Sequence, residues 1–167
     1  MLHIRRFRPD DDAAATARLF HASIREGAVG AYSEEQLAAW APAPPETAEW
    51  AARLGSMTTL IAVELAASDD EEDGEGDPLG FMSLTDAGHI DLAYVRPDRF
   101  GTGVSDALYN AVLSVARTSG LRRLTTDASH LARRFFEKRG WHVLREQRPV
   151  RHGIALTNFR MVIDLDG

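Results

Sequence analysis

Apolar and polar positions follow two different periods along the chain, and each change of period marks a predicted element. Apolar runs of strand length predict β-strands over residues 2–7, 58–65, 79–84, 89–95, 124–127, 141–147 and 159–164. Apolar residues three and four positions apart predict helices from Asp11, after Ser33, from Thr47, after Gly103 and over 130–139. A strand pair followed by alternating strands and helices predicts an α/β fold with a sheet of mixed direction.

Capping and breaking residues set the bounds of the N-terminal helices. The cluster Asp10–Asp12 is suited to start the first helix, and Ser33 with Gln36 three residues later forms a capping box for the second. Pro42 then breaks the second helix, and the third opens at Thr47. Trp40 and Trp50 lie on these helices and are expected mainly in the core.

Composition narrows the class of protein. A chain of 167 residues with 44% hydrophobic and 26% charged residues fits one globular domain. The absence of cysteine excludes disulfides, thiolate nucleophiles and cysteine-ligated zinc, and it is typical of a reducing compartment. The first residues lack the apolar stretch of a signal peptide, and no run reaches the roughly 18 apolar residues of a membrane span. We therefore expect a cytoplasmic protein without a membrane partner.

The acidic charge is concentrated in one segment. The net charge is -6, but seven of the 25 acidic residues fall between residues 69 and 77, and the rest nearly balance the 19 basic residues. We interpret residues 68–78 as a flexible acidic hairpin loop, with a contact surface for a basic partner as the alternative. No dense basic run is present, so we expect no nucleic-acid partner.

The turn between the strand 89–95 and the following helix is the most informative motif. It reads DRFGTGVS over residues 98–105 and places two glycines directly before a helix N-terminus. Unpaired amides and the helix dipole make such a turn suited to bind a phosphate, although a tight turn without ligand is the alternative. A P-loop is excluded because no lysine follows the glycines, and a dinucleotide fingerprint is disfavoured because its third glycine position holds Asp106.

Two segments in this order resemble the GNAT superfamily of acyl-CoA-dependent N-acetyltransferases. HIDLAYVRPDRFGTGVSDAL is similar to that family's acetyl-CoA pyrophosphate-binding segment, and ARRFFEKRGW is similar to its later helix signature. The resemblance covers about residues 58–147. It implies a central mixed, mostly antiparallel sheet of about seven strands, with a splayed strand at the CoA site and helices on both faces. One domain over 1–167 is expected, with acceptor-side helices in 1–57, the acetyl-CoA core in 58–147 and a C-terminal strand in 148–167.

The resemblance also implies which residues meet the coenzyme. Backbone groups of the splayed strand would contact the pantetheine arm, and amides of the glycine turn would bind the diphosphate. Ser129 would touch the CoA arm or cap the next helix, and both roles are compatible. The residues expected at acetyl-CoA are Ala93, Tyr94, Val95, Phe100, Gly101, Thr102, Gly103, Val104, Ser105, Ser129 and Phe136.

Three positions depart from the family pattern. Phe100 replaces a polar side chain, and Ser105 places a hydroxyl where the family has glycine or alanine. Phe136 stands where many relatives have a catalytic tyrosine, and a phenyl ring cannot donate a proton to the departing thiolate. A non-catalytic CoA-binding or interaction module is therefore the alternative to an active enzyme. A further alternative is an unrelated nucleotide-binding α/β protein, which the segment ARRFFEKRGW disfavours.

Candidate catalytic residues lie on the strand 89–95. His89 is a candidate general base because histidine titrates near neutral pH, with a solvated strand start as the alternative role. Asp91 follows two residues later and is expected on the same face as His89. Tyr94 and Tyr109 are candidate acids, although simple alternation places Tyr94 on the face opposite His89, and Tyr109 has helix packing as its alternative.

Acceptor-side candidates lie in the N-terminal helices. Ser23, Arg25 and Tyr32 are the candidate substrate-binding residues. The remaining histidines show no metal-like spacing, so no metal is assigned. The expected partners are acetyl-CoA and a primary amine of a small molecule or peptide, and pairing of two chains through the C-terminal strands is left open.

Overall fold

The computed structural model describes residues 1–65 and 75–165 and consists of one central sheet with helices on both faces. The strands are β1 (Leu2–Arg6), β2 (Thr58–Glu64), β3 (Gly80–Leu84), β4 (His89–Val95), β5 (Arg123–Ala128), β6 (His142–Gln147), β7 (Val150–Arg151), β8 (Ile154–Ala155) and β9 (Asn158–Asp164). The helices are α1 (Pro9–Arg25), α2 (Glu34–Trp40), α3 (Thr47–Gly55), α4 (Val104–Thr118) and α5 (His130–Glu137).

The main sheet has seven strands in the order β1-β2-β3-β4-β5-β9-β6. Every neighbouring pair is antiparallel except β4 and β5, which are parallel and pair only through His89–Thr125 and Ile90–Thr126. Beyond Ile90 the two strands diverge. The predicted mixed sheet with one splayed strand is confirmed.

The sheet separates two hydrophobic cores. On one face α1, α2 and α3 cover the sheet, with Phe20, Trp50 and Leu54 among the buried residues. On the other face α4 and α5 contribute Leu108, Val112 and other buried side chains. Trp50 is 3% exposed and its indole nitrogen donates to the hydroxyl of Thr16, so its predicted place in the core is confirmed.

A β-bulge interrupts β4 at Asp91. The register pairs Ser83 with Leu92 and Leu84 with Ile90, which leaves Asp91 as an extra residue on β4. Ile90 packs in the core under α4, whereas Leu92, two positions later, packs in the core under α1. In a regular strand residues two apart share a face, so the bulge reverses the alternation for the rest of β4.

Most predicted elements are confirmed, with differences at their ends. The Ser33–Gln36 capping box forms with both of its hydrogen bonds. α1 begins at Pro9, two residues before the predicted start, and α5 ends at Glu137 instead of Arg139. The β7–β8 hairpin was not predicted, because strands of two residues carry no readable period. Residues 66–74, which hold most of the predicted acidic loop, lie outside the described residues.

One acidic residue of that segment, Glu75, is part of an ion network. Arg5 on β1 binds Asp12 on α1 at 2.7 Å and Glu75 at 2.8 Å. Removal from water alone would raise the pKa of the Asp12 carboxyl, but hydrogen bonds from Arg5 and from the Arg8 amide hold it below its ordinary value. This network connects Glu75 to β1 and α1.

Candidate active site

Two adjoining cavities open beside the divergence of β4 and β5. We call the larger, of about 490 Å³, the polar cavity, and the smaller, of about 320 Å³, the apolar cavity. Trp40, Tyr94 and Ser129 line both of them. The cavities therefore meet at the gap that the diverging strands leave in the sheet.

The apolar cavity lies between β4 and α5. Its walls include Ala93, Tyr94 and Val95 from β4, Leu131 and Phe135 from α5, and Ile24 from α1, among other apolar side chains. Beyond Ile90, β4 has no pairing with β5, so backbone groups of this stretch face the gap. A narrow, largely apolar slot bordered by free strand backbone suits an extended chain that carries amide groups.

The glycine turn stands at one end of the apolar cavity. Gly101 and Gly103 have φ of 75° and 92°, a left-handed conformation that favours glycine. Within the described residues the amides of Gly101, Gly103, Val104 and Ser105 have no hydrogen-bond partner, and α4 has no side-chain cap. A Cβ on either glycine would have nothing within 4 Å, so the space beside both glycines is open. The geometry fits a phosphate-binding turn.

The three departures from the family pattern have structural explanations or consequences. Phe100 packs its ring against Gly27, where a Cβ would come within 2.7 Å of it, and so closes the side of the apolar cavity. Ser105 lines the same cavity. Phe136 is 1% exposed and packs against Trp141, with ring centroids 4.7 Å apart. Phe100 and Phe136 thus present apolar rings in place of polar side chains of the family, whereas Ser105 adds a hydroxyl.

His89 stands at the floor of the polar cavity with both ring nitrogens near β5. Its Nδ1 lies 2.8 Å from the hydroxyl of Thr125, and its Nε2 lies 3.6 Å from Oδ2 of Asp127. Because the parallel register pairs His89 with Thr125, residues 125 and 127 face the ring from the same side of β5. The His89 ring is therefore fixed by the structure, and the alternative of a solvated strand start is disfavoured.

Carboxylates flank His89, and each is paired with an arginine. Arg160 on β9 donates to both oxygens of Asp127, at 2.6 and 3.1 Å, and Gln147 on β6 donates at 2.8 Å. Asp91, exposed by the bulge, pairs with Arg53 on α3 at 3.1 Å. The ionisable side chains Glu49, Arg53, His89, Asp91, Asp127 and Arg151 line the polar cavity.

Tyr94 shares the polar cavity with His89, so the expected placement on opposite faces was wrong. The cause is the bulge at Asp91, which reverses the alternation between these two residues. Desolvation by burial raises the pKa of the Tyr94 hydroxyl above its ordinary value. Tyr94 therefore remains a neutral phenol, a proton donor, at and well above neutral pH.

Tyr109 lies in the core. It is 5% exposed, and its hydroxyl accepts a hydrogen bond from the indole of Trp141 at 2.9 Å. It lines neither cavity. Helix packing, the alternative role, is the one that the structure favours.

The acceptor-side candidates are not brought together. Tyr32 lines the polar cavity, where its hydroxyl donates to the Thr157 carbonyl at 2.7 Å and accepts from the His130 amide at 3.2 Å. Burial raises the pKa of Tyr32. Ser23 lines the apolar cavity instead, and Arg25 lines neither and donates to the Ala41 carbonyl at 3.4 Å.

The coenzyme-side candidates fall into two groups. Most of them line the apolar cavity, whereas Thr102, Gly103 and Val104 do not. Thr102 donates its hydroxyl to the Arg99 carbonyl, and Val104 is buried under the sheet. Ser129 lines both cavities and its side chain also accepts the Ala132 amide at 3.2 Å, so the predicted cap is confirmed.

Sequence reasoning missed Thr125 and Asp127. Both lie in LTTD, which the apolar pattern identified only as a strand. Residues two apart on a strand share a face, so the sequence does place Thr125 and Asp127 side by side. Which face of the sheet they lie on follows only from the parallel pairing of β5 with β4. Trp40 was expected mainly in the core, yet it is partly exposed at the junction of the cavities.

Known proteins share this fold and sequence pattern. Residues 28–163 match the family described as "Acetyltransferase (GNAT) domain". A crystal structure from Rhodopseudomonas palustris, described as a GCN5-related N-acetyltransferase, is 39% identical over 98% of this chain and 95% of its own, with a TM-score of 0.86. Together with the splayed sheet and the glycine turn, this shows an acyltransferase fold. The chain belongs to the GNAT acetyltransferase family.

Two further relatives extend the comparison. The uncharacterised N-acetyltransferase YafP of Escherichia coli K12 is 29% identical over 96% of this chain and 94% of its own. The fold is also that of YncA from Salmonella typhimurium, determined with its cofactor acetyl-CoA, at a TM-score of 0.70 and 18% identity over 100% of this chain and 95% of its own.

The described residues contain neither a membrane-spanning helix nor a cluster of metal-ligating side chains. None of the helices in residues 1–65 and 75–165 combines the length and apolar composition that crossing a bilayer requires. Nor does this part of the chain bring three potential metal-ligating side chains together.

Proposed function

We propose that this protein is an N-acetyltransferase that moves an acetyl group from acetyl-CoA to a primary amine of a small molecule or peptide. The observation that carries the proposal is the junction of the two cavities beside the splayed strand. One cavity fits a coenzyme arm, the other holds acid–base residues, and both reach Tyr94. The proposed domain spans residues 1–167.

The chain's own groups fit the coenzyme. The unpaired amides around Gly101 and Gly103 would hold the diphosphate at the start of α4. Backbone groups of residues 93–95 would hold the pantetheine arm, with Ser129 facing them across the gap. Acetyl-CoA supplies a thioester whose carbonyl carbon the amine attacks, so that a C–N bond forms and the C–S bond breaks.

The polar cavity supplies the proton transfers. An amine arrives mostly as an ammonium ion and must lose a proton before it attacks, and His89 at the cavity floor is the proposed base. The thiolate that leaves needs a proton, and Tyr94 is the proposed donor because it lines both cavities and stays protonated. The Val95 amide is the proposed donor to the thioester oxygen.

Two measurements test the proposal. Calorimetric titration with acetyl-CoA should give saturable 1:1 binding, and a protein that does not bind the coenzyme would refute it. A free-thiol assay against a panel of primary amines should then show amine-dependent release of CoA.

Phe136 favours a second candidate, a coenzyme-binding module without catalysis, because a buried phenyl ring replaces a tyrosine of many relatives. Saturable coenzyme binding with no thiol release against any amine would support that candidate.

A further inference from the structure

The space between His89 and Asp127 has the geometry of a receptor for an amino group. The His89 Nε2 and the Asp127 Oδ2 are 3.6 Å apart, too far for a hydrogen bond between them. A single nitrogen can lie about 2.9 Å from both atoms and donate to each of them. The two side chains are 24% and 31% exposed and line the polar cavity, so a ligand can reach this position.

We propose that His89 Nε2 and Asp127 Oδ2 together bind the acceptor's amino group and fix the nitrogen that attacks. The inference rests on the proposed function and names its acceptor subsite. An ammonium group has three N–H donors, so it can donate to both atoms at once. A neutral ether or ester has no donor, a hydroxyl has only one, and none of them carries a positive charge, so the subsite selects a primary amine in its protonated form.

Neighbouring residues position both acceptor atoms. Arg160 and Gln147 hold the Asp127 carboxylate through three hydrogen bonds. Thr125 contacts Nδ1 of His89 at 2.8 Å. The proposal assigns the Nδ1 proton as the donor to the Thr125 hydroxyl, which leaves the Nε2 lone pair facing the subsite and makes Thr125 a positioning residue.

The proton transfer is balanced within the subsite. One N–H bond of the ammonium breaks, an N–H bond forms at Nε2, and the resulting imidazolium stands beside the Asp127 carboxylate. The other charged groups of the polar cavity are Asp91 on β4 and Arg53 on α3, which pair with each other at 3.1 Å, together with Glu49 and Arg151, and Arg160 pairs with Asp127. The neutral amine is left with its lone pair free to attack.

Nitrogen NMR of the ligand-free protein tests the positioning without any need for activity. His89 is assigned by the signals that vanish in His89→Gln. In its neutral form the His89 ring should carry its proton on Nδ1, Thr125→Val should move it to Nε2, and Thr125→Ser should keep it on Nδ1. A wild-type ring protonated on Nε2, or a Thr125→Val ring identical to the wild type, would overturn the inference. Melting temperatures check that the variants fold.

Steady-state kinetics test the amino-group contact. With the amine that the thiol assay identifies, Asp127→Asn should raise the KM for the amine about tenfold and leave the KM for acetyl-CoA unchanged. Asp164→Asn is the matched control, because Asp164 on β9 pairs with Arg123 on β5 as Asp127 on β5 pairs with Arg160 on β9. The control should behave as the wild type.

The outcomes separate the two proposals. Equal amine KM values in Asp127→Asn and wild type, in an active enzyme, would refute the subsite and leave the proposed function standing. If the wild type is inactive but shows the predicted tautomer pattern, the proposed acetyltransferase activity is refuted and the proposed positioning of His89 by Thr125 still stands.

Discussion

The two cavities meet at one gap but are built from different parts of the chain. The apolar cavity takes most of its lining from β4, the glycine turn, α4 and α5, with further side chains from α1 and β3. The polar cavity draws on α1, α3, β4, β5 and the segment between β6 and β9. The proposed coenzyme recognition would therefore depend mainly on backbone groups of a local motif, whereas the proposed acceptor chemistry would depend on side chains that only the tertiary fold brings together.

Removing the proposed base should give the largest effect. His89→Gln keeps a polar side chain of similar reach and should lower kcat/KM by about 10²- to 10⁴-fold, because no group remains to take the amine's proton. Acetyl-CoA affinity, measured by calorimetry, should not change. The control His142→Gln alters an exposed histidine on β6 and should leave kcat/KM unchanged. Full activity in His89→Gln would exclude His89 as the base.

A negative charge in the glycine turn should affect the other cavity. Gly103→Glu places a carboxylate at the N-terminus of α4 and should weaken acetyl-CoA binding about 30-fold, or about 2 kcal/mol. Gly103→Ala suffers the same strain at a φ of 92° without the charge, so it is the matched control. If calorimetry gives both variants equal affinity, the turn does not bind the diphosphate.

Tyr94 lies where the cavities meet, and its loss should have an intermediate effect. Tyr94→Phe should lower kcat about tenfold, because a thiolate is already a fair leaving group and needs less help than most. The deficit should stay constant up to about pH 10, since burial raises the pKa of Tyr94 above its ordinary value. A deficit that disappears below pH 9 in a pH–rate profile would contradict the proton-donor role.

A side-chain change in the apolar cavity should have the smallest effect. Phe100→Gln restores a polar side chain usual in the family and should change acetyl-CoA affinity less than about threefold, because backbone amides make the main contacts. The ring packs on Gly27, so a fall in melting temperature of a few degrees is expected as well. A much larger change in affinity would show that the side chain takes part in coenzyme binding.

The contrast between a local motif and a site assembled by the tertiary fold also explains what the sequence could predict. The turn at residues 98–105 is local, so its left-handed glycines, the start of α4 and its suitability for a phosphate can be predicted from consecutive residues. The pairing of His89 with Thr125 is not, because it depends on which strand lies beside β4. Ser23 and Arg25 show the same limit, since the helical pattern places both on α1 without indicating which cavity, if any, each one reaches.

The bulge in β4 predicts what the deletion of one residue would do. Asp91 is one residue more than the ladder with β3 can pair, and it stands where β4 leaves β5. A chain shortened by this one codon would keep every other side chain of β4 on its present face, because normal alternation would simply be restored. The strand would straighten, its hydrogen-bonding contact with β5 would lengthen, and the passage between coenzyme and acceptor would close. Deletion of Asp91 should therefore yield a well-folded protein without acetyltransferase activity.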